Sequence, residues 1–337
     1  MTGASPPIPA LSQMLATAWL AQALSVAARL GIADRLAGGP LAPDDLAAQL
    51  DTDSNATYRL LRALASAGIF EESPDGRFAL TALAQPLRSD APDSIRDYAI
   101  MVGERWVWAS IGGLMHSVRT GAPSFDHLFG APVFDYYTAH PEAGRIAGDG
   151  LKSIGRLQDN AVAAALDLRG AGHLVDVGGG QGGLLASLLT AHPDAEGVLF
   201  DLPHVVAKAA PVLAAAGVAE RCKLESGDFF RAVPKGGQLY ILRKVLHDWD
   251  DARARQLLAA CREGMASGTW LVVAETTVPV GNASAYVKLL DLLMLTYAGG
   301  RERTEAEYRA LLQATGFSVE RILPTIASIS LIEARRL

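Results

Sequence analysis

Hydrophobic and polar positions change rhythm twice along the chain. From Leu11 to Leu36 apolar side chains recur at helical spacing, and the pattern resumes over Leu41–Leu50. Asp53 or Ser54 can then cap a helix carrying Tyr58, Leu60, Leu61 and Leu64, which Gly68 ends. Ile69-Phe70, the turn Pro74-Asp75-Gly76 and Phe78-Ala79-Leu80 read as a short hairpin. Helix, helix, hairpin in this order predicts a winged-helix-like unit over residues 1–95. Residues 96–165 stay helical but are rich in aromatics: Trp106, Trp108, Phe125, Phe129, Phe134, Tyr136 and Tyr137. They read as a connector whose aromatics form a core between domains, some of them lining an aromatic pocket.

From about Leu166 short apolar runs alternate with amphipathic stretches. Strands are expected at His173–Val177, Gly197–Phe200, Lys223–Glu225, Gln238–Leu242 and Trp270–Ala274, with helices at Leu184–Ala191, Val205–Ala215 and Ala252–Met265. Such alternation predicts an α/β domain over residues 166–337, a parallel sheet with helices on both faces. Thr304 with Glu307 three residues on opens a further helix, Gly316 closes it, and Ser318–Ile322 and Ser328–Glu333 add two strands.

Composition narrows the class. Half of the 337 residues are apolar and 20% are charged, as in a well-packed globular protein. The longest apolar runs, such as Leu239–Leu242 and Leu292–Leu295, are too short to cross a bilayer, and residues 1–10 lack the features of a secretory signal, so a cytoplasmic protein is expected. Cys222 and Cys261 have no paired spacing, which argues against a disulfide framework or a structural zinc site. A winged helix often binds DNA, but between Pro40 and Asp93 nine acidic side chains face only Arg59, Arg62, Arg77 and Arg88. Phosphate neutralisation needs the opposite balance, so the unit is read as a dimerisation module rather than a nucleic-acid reader.

The first strand of the α/β domain runs into Val175-Asp176-Val177-Gly178-Gly179-Gly180-Gln181-Gly182-Gly183. Glycines at a strand-to-helix turn let the backbone approach a ligand, with the helix N-terminus facing it. Gly178, Gly180 and Gly183 fit the spacing of dinucleotide sites, whereas Gly178, Gly180 and Gly182 fit that of methyltransferases; Asp201 closes the second strand, where an acid grips ribose hydroxyls in both classes. Gly227-Asp228-Phe229-Phe230 follows the third strand, and Leu242-Arg243-Lys244-Val245-Leu246-His247-Asp248-Trp249-Asp250-Asp251 ends the fourth.

With Asp201-Leu202-Pro203, Ala274-Glu275, Asp291-Leu292-Leu293-Met294-Leu295 and Gly299-Gly300-Arg301-Glu302-Arg303-Thr304, the chain resembles the plant-type small-molecule O-methyltransferases and their bacterial natural-product relatives. The resemblance covers nearly the full length. It implies a Rossmann-like class I methyltransferase domain behind a winged-helix dimerisation domain, a homodimer, and S-adenosyl-L-methionine as methyl donor without a metal. Carried over by position, the cofactor's methionine part lies near Gly178 and Gly180 and its ribose on Asp201. Its adenine lies by Leu202, Gly227, Asp228 and Phe229. Arg243 stands where the plant enzymes have lysine, and Lys244 follows it; Ser153 and Arg156 are the upstream candidates.

The resemblance also makes His247 the general base, flanked by Glu275 and Glu302, with Asp248, Met294 and Trp108 beside the substrate. Glu275 and Glu302 have an alternative as ordinary partners of Arg301 or Arg303. A phenol of pKa about 10 facing a histidine of about 6.5 leaves proton transfer roughly 3.5 units, or about 5 kcal/mol, uphill. A nearby sulfonium favours the developing phenolate and a carboxylate favours the imidazolium, which closes part of that gap. The expected activity is methylation of a hydroxyl on a small phenolic, polyketide or phenazine-like molecule. A nitrogen acceptor, or a relative repurposed for hydroxylation or decarboxylation, is the alternative. A nicotinamide-dependent dehydrogenase shares the glycine loop but leaves the His247 and Gly299–Thr304 segments without a role, and a ligand-responsive regulator is disfavoured by the acidic winged helix.

Overall fold

The computed structural model describes residues 7–283 and 285–337; the first six residues of the stretch read for a secretory signal lie outside them. In chain order the first elements are α1 (Pro7–Leu30), α2 (Ile32–Leu36), α3 (Pro43–Leu50), α4 (Ser54–Ser66), β1 (Phe70–Glu72), β2 (Phe78–Leu80) and α5 (Arg96–Val102). The expected single segment Leu11–Leu36 is two helices, because Gly31 takes a left-handed turn at φ 69°. Asp53 caps α4 by accepting a hydrogen bond from the Ala56 amide at 2.7 Å, and β1 and β2 pair antiparallel with Phe70 opposite Leu80. Leu46, Leu61, Leu64, Phe70 and Phe78 are fully buried in this unit's core.

Helices α6 (Arg105–Gly112), α7 (Leu114–Thr120), α8 (Ser124–Phe129), α9 (Val133–Ala139) and α10 (Pro141–Ala165) follow. Contacts divide the chain into two compact units, one formed by residues up to Ala109 with Phe134–Ile154, the other by Ser110–Val133 with Gly155–Leu337. The aromatic-rich segment therefore serves two cores. Trp106 packs edge-on against Tyr137 in the first unit, while Phe125 lies buried against Tyr297 in the second.

The second unit continues with β3 (His173–Val177), α11 (Gly183–Ala191), β4 (Glu196–Asp201), α12 (Pro203–Val206), α13 (Ala210–Ala215), β5 (Cys222–Ser226), β6 (Leu239–Arg243), α14 (Asp251–Gly264), β7 (Trp270–Glu275), α15 (Ala285–Tyr297), α16 (Glu305–Ala314), β8 (Phe317–Pro324) and β9 (Ser330–Arg336). The expected helix Val205–Ala215 is broken in two. A continuous helix would need a hydrogen bond from residue 211 to the Ala207 carbonyl, and Pro211 has no N–H to give. Seven strands form one sheet in the order β5-β4-β3-β6-β7-β9-β8, parallel except that β9 runs antiparallel to both neighbours. Leu185, Leu188 and Ile241 lie in the core on one face, Leu257, Leu258 and Tyr308 in that on the other. This is the Rossmann-like arrangement expected of a class I methyltransferase. Strand order reverses between β3 and β6, the switch point outside which open α/β sheets bind ligands.

Among the described residues α1 is long and apolar enough to cross a membrane, with mean hydropathy 1.2 over an 18-residue window. Its polar residues are spread through the helix, so no single short apolar run announced it. Ile8, Leu11, Leu15 and Trp19 recur every three or four residues, with Met14 beside them, and all five are exposed, Trp19 to 75%. That spacing makes a one-sided apolar stripe, the signature of a helix with a partner surface.

Candidate active site

The carboxyl ends of β3 to β7 collect most of the residues singled out in the sequence. Behind β3 the loop takes left-handed turns at Gly178 (φ 70°), Gly180 (φ 61°) and Gly182 (φ 82°), which L side chains adopt only at a cost. A side chain on Gly178 would meet Val245 at 2.9 Å, whereas Gly180 faces open space. The Gly180 and Leu202 amides donate to the two oxygens of Asp201 at 2.8 and 2.7 Å. Burial pushes the Asp201 carboxyl above the ordinary range, and these two bonds pull it back. Each of its oxygens keeps a lone pair for a further donor.

Leu202 is exposed beside it, and Phe229 packs edge-on against Phe230 and Trp249. The Asp228 carboxylate accepts the Phe230 amide at 2.9 Å and so shapes its own turn. Gly227 is required by the Phe200 ring, which a Cβ would meet at 2.7 Å.

Under the glycine loop lies a group the sequence reading passed over. Asp176 is fully buried with no hydrogen-bond partner on either carboxylate oxygen. Burial, with a contribution from Asp159, pushes it up to about 7. Arg243 stands close by, paired with Asp159 at 2.6 Å and donating to the Gly155 carbonyl at 2.7 Å. Of the two upstream candidates, Ser153 accepts the Tyr98 amide at 3.2 Å in the first unit, and Arg156 is exposed on α10. Trp108 lies on the part of α6 that belongs to the first unit.

The second cluster gathers around His247, buried in the turn after β6. Its Nδ1 lies 2.8 Å from Glu302 Oε1. A carboxylate only accepts, so Nδ1 carries the hydrogen and Nε2 is left with its lone pair. Asp248 Oδ1 stands 3.4 Å from that Nε2. Glu275 does not touch the ring. Its Oε1 instead accepts the amides of Val245, Leu246 and His247 at 3.0, 2.9 and 3.3 Å, so it fixes the turn that carries His247. Lys244 reaches into the same cluster, 3.0 Å from Glu302 Oε1 and 3.7 Å from Glu275 Oε2. One nitrogen of His247 and one carboxylate oxygen each of Glu275 and Glu302 fall within 4.8 Å of one another, and Lys244 Nζ reaches both carboxylates.

The Gly299–Thr304 segment locks this turn from outside. The Arg301 amide donates to the His247 carbonyl at 2.8 Å, and the buried Arg303 donates to the carbonyls of Leu246 and Trp249, both at 2.9 Å. Arg303 pairs with Asp251, and Arg301 with Asp251 and Glu307, so neither arginine takes Glu275 or Glu302. Asp291 on α15 accepts the Glu302 amide at 2.7 Å, and Met294, one turn on, is buried.

Burial and the Lys244 charge both lower the basicity of His247, but Asp248, Glu275 and Glu302 together outweigh them, and its pKa lies above the ordinary histidine value. Burial pushes Asp248 up as well, although the nearby His247 opposes this. Glu302 lies below the usual glutamate range; burial alone would raise it, but His247 and Lys244 hold the carboxylate ionised. The cluster thus holds a histidine of fixed tautomer beside the carboxyl end of the sheet.

Residues 111–318 match the O-methyltransferase domain family, and residues 12–90 match the O-methyltransferase dimerisation domain. Phenazine O-methyltransferase PhzM of Lysobacter antibioticus is 42% identical over 335 residues, covering 99% of this chain and 97% of that protein. Phenazine-1-carboxylate N-methyltransferase of Pseudomonas aeruginosa is 33% identical over 326 residues, covering 97% and 96%. Among solved structures, the O-methyltransferase NcsB1 from neocarzinostatin biosynthesis, in complex with S-adenosylmethionine and 2-hydroxy-5-methyl naphthoic acid, superposes with a TM-score of 0.80 at 33% identity, covering 94% of this chain and 96% of that one. Oxygen and nitrogen methylation both occur at this level of likeness, while the methyl donor and fold are common ground. The chain belongs to the O-methyltransferase family, carries that family's dimerisation domain, and is an S-adenosylmethionine-dependent methyltransferase.

Proposed function

We propose that the enzyme methylates a hydroxyl group of a small aromatic metabolite, with His247 as the general base. The observation that carries this reading is the 2.8 Å contact of His247 Nδ1 with Glu302, which puts the hydrogen of the neutral ring on Nδ1 and the lone pair on Nε2. An aromatic amine presents its lone pair without first losing a proton, whereas a phenol gains greatly from a base. A carboxylate-backed histidine therefore favours a hydroxyl acceptor.

The residues at the sheet's carboxyl ends suit S-adenosylmethionine. Asp201 has lone pairs free for two ribose hydroxyls, the backbone at Gly178 and Gly180 is open to close approach, and the unpartnered Asp176 carboxyl lies beneath. When bound, the cofactor supplies an electrophilic methyl group on a sulfonium. Leu202, Asp228 and Phe229 would border its adenine, and Arg243 with Asp159 would shape the floor near its methionine end. His247 Nε2 takes the hydroxyl proton, Glu302 steadies the imidazolium through Nδ1, and Glu275 keeps the turn from shifting. Asp248 and Met294 are assigned to the acceptor. Incubation with methyl-labelled S-adenosylmethionine and a panel of hydroxynaphthoates, hydroxyphenazines and aminophenols tests the reading. It expects the label on oxygen, and label on nitrogen of the aminophenols alone overturns it.

The ribose assignment has its own test. Charge-assisted hydrogen bonds to Asp201 should contribute about 1.5–3 kcal/mol, so Asp201→Ala should weaken cofactor binding by roughly 10- to 100-fold in calorimetry. An unchanged dissociation constant removes Asp201 from the ribose site.

We also propose a homodimer formed chiefly through residues 1–100, with α1 near Leu11–Met14 reaching the partner's active site. The exposed stripe of Ile8, Leu11, Met14, Leu15 and Trp19 begins just before the dimerisation match and runs into it. A second copy of the chain would bury the stripe. Light scattering should report a dimer at micromolar concentration, and a monomer there contradicts the proposal.

A further inference from the structure

Lys244 holds an unusual place. It is the residue after β6 and takes a left-handed backbone conformation, φ 54°, which an L side chain adopts only when its surroundings demand it. Its amide donates to the Ala274 carbonyl at 3.0 Å, and its side chain, 12% exposed, turns into the base cluster. There Nζ lies 3.0 Å from Glu302 Oε1, the same oxygen that accepts His247 Nδ1, and 3.4 Å from Thr276 Oγ1. It is also 3.7 Å from Glu275 Oε2. Glu275 and Glu302 have side chains with no exposed surface. Two carboxylates buried side by side are costly to ionise unless a cation stands between them.

We propose that Lys244 is a positioning residue for methyl transfer: its ammonium is a built-in counter-cation that clamps Glu275 and Glu302 and holds Glu302 against the Nδ1 edge of His247. The inference rests on His247 being the base. It follows that Lys244 also restrains His247 from becoming an imidazolium too early, since two cations share one carboxylate oxygen. The other charged or titratable groups around the histidine are Asp248 on its own turn, Asp251 on α14, Asp291 on α15, Arg301 and Arg303 before α16, and Tyr308 on α16. Both arginines are engaged by Asp251, Glu307 or backbone carbonyls, which leaves Lys244, among the described residues, as the cation acting on the His247–Glu302 pair.

The test compares pH profiles of kcat/KM for one phenolic acceptor in the full-length enzyme, wild type against Lys244→Gln, Lys244→Met and Lys244→Arg. Thermal melts and S-adenosylmethionine binding are measured alongside. Both neutral variants should move the acidic limb to higher pH by about one unit, because the imidazolium loses its repulsive neighbour. They should also lower the plateau about tenfold as Glu302 loosens, with cofactor affinity unchanged within about twofold. Lys244→Arg keeps the charge and should keep the limb. Unfolding of both neutral variants while Lys244→Arg folds also supports the counter-cation. An acidic limb that superimposes on wild type in a folded neutral variant overturns the proposal, as does unfolding of all three. His247→Gln separates the two readings. Wild-type turnover in that variant means the base assignment has failed, whereas its loss together with silent Lys244 variants means only this inference has.

Discussion

His247→Gln should fold and bind S-adenosylmethionine like the wild type but turn over about 10²–10⁴-fold more slowly on a weakly acidic phenol, the usual worth of a positioned general base. Glutamine can keep a hydrogen bond to Glu302, so the buried carboxylate is not stranded and the cost falls on chemistry rather than stability. The loss should shrink for acceptors such as nitrophenols, which are already ionised at neutral pH and need no base. The comparison of the two acceptor classes, with melting curves and cofactor titrations as controls, checks the assignment. A similar deficit for both classes would mean that His247 serves binding or structure instead.

Gly300→Ala is expected to do comparable damage from outside the chemistry. A Cβ at this position would lie 2.0 Å from the His247 carbonyl oxygen and 2.5 Å from the Asp248 carbonyl carbon, and both obstacles are backbone. Relief requires either the turn bearing His247 or the segment bearing Glu302 to move, which breaks the hydrogen bond from the Arg301 amide to the His247 carbonyl and the register of Glu302 on Nδ1. A misplacement of about 1 Å can cost on the order of 10²-fold in rate. We therefore expect kcat to drop by at least about that factor, with cofactor affinity preserved because the glycine loop lies elsewhere. Steady-state kinetics with calorimetry measures both, and wild-type kcat would show that the turn is not held as described.

The general plan of the α/β domain can be read from the chain because its strands are short apolar runs bounded by turn residues, and because Gly178–Gly183, Asp201 and His247 sit where strands end. Breaks in that reading have local causes. Gly31 and Pro211 interrupt helices whose apolar spacing continues across them. The last strand starts at Ser330 rather than Ser328, because Ser328 itself adopts a left-handed turn at φ 57°. The site is less legible where a side chain's role depends on partners distant in sequence. Glu275 and Glu302 look equivalent as two acids in separate motifs, yet one binds three amides and the other the imidazole. Arg243 and Lys244 are adjacent cations, and only the fold sends the first to Asp159 and the second to Glu302. Nothing in the pattern around Asp176 foretells that both its oxygens are buried without a partner.

The central claim is that His247 removes the acceptor's proton, and the pH dependence of turnover for wild type and His247→Gln on one phenol tests it most directly. In the wild type, activity should fall as pH drops through the His247 pKa, which lies above the ordinary histidine value, because protonation removes the base. The variant should lack that limb and gain rate with rising pH as the phenol ionises in solution, approaching the wild type only near the phenol's own pKa of about 10. If His247→Gln instead reproduces the wild-type profile and rate at neutral pH, the proton leaves by another route and the mechanism is wrong.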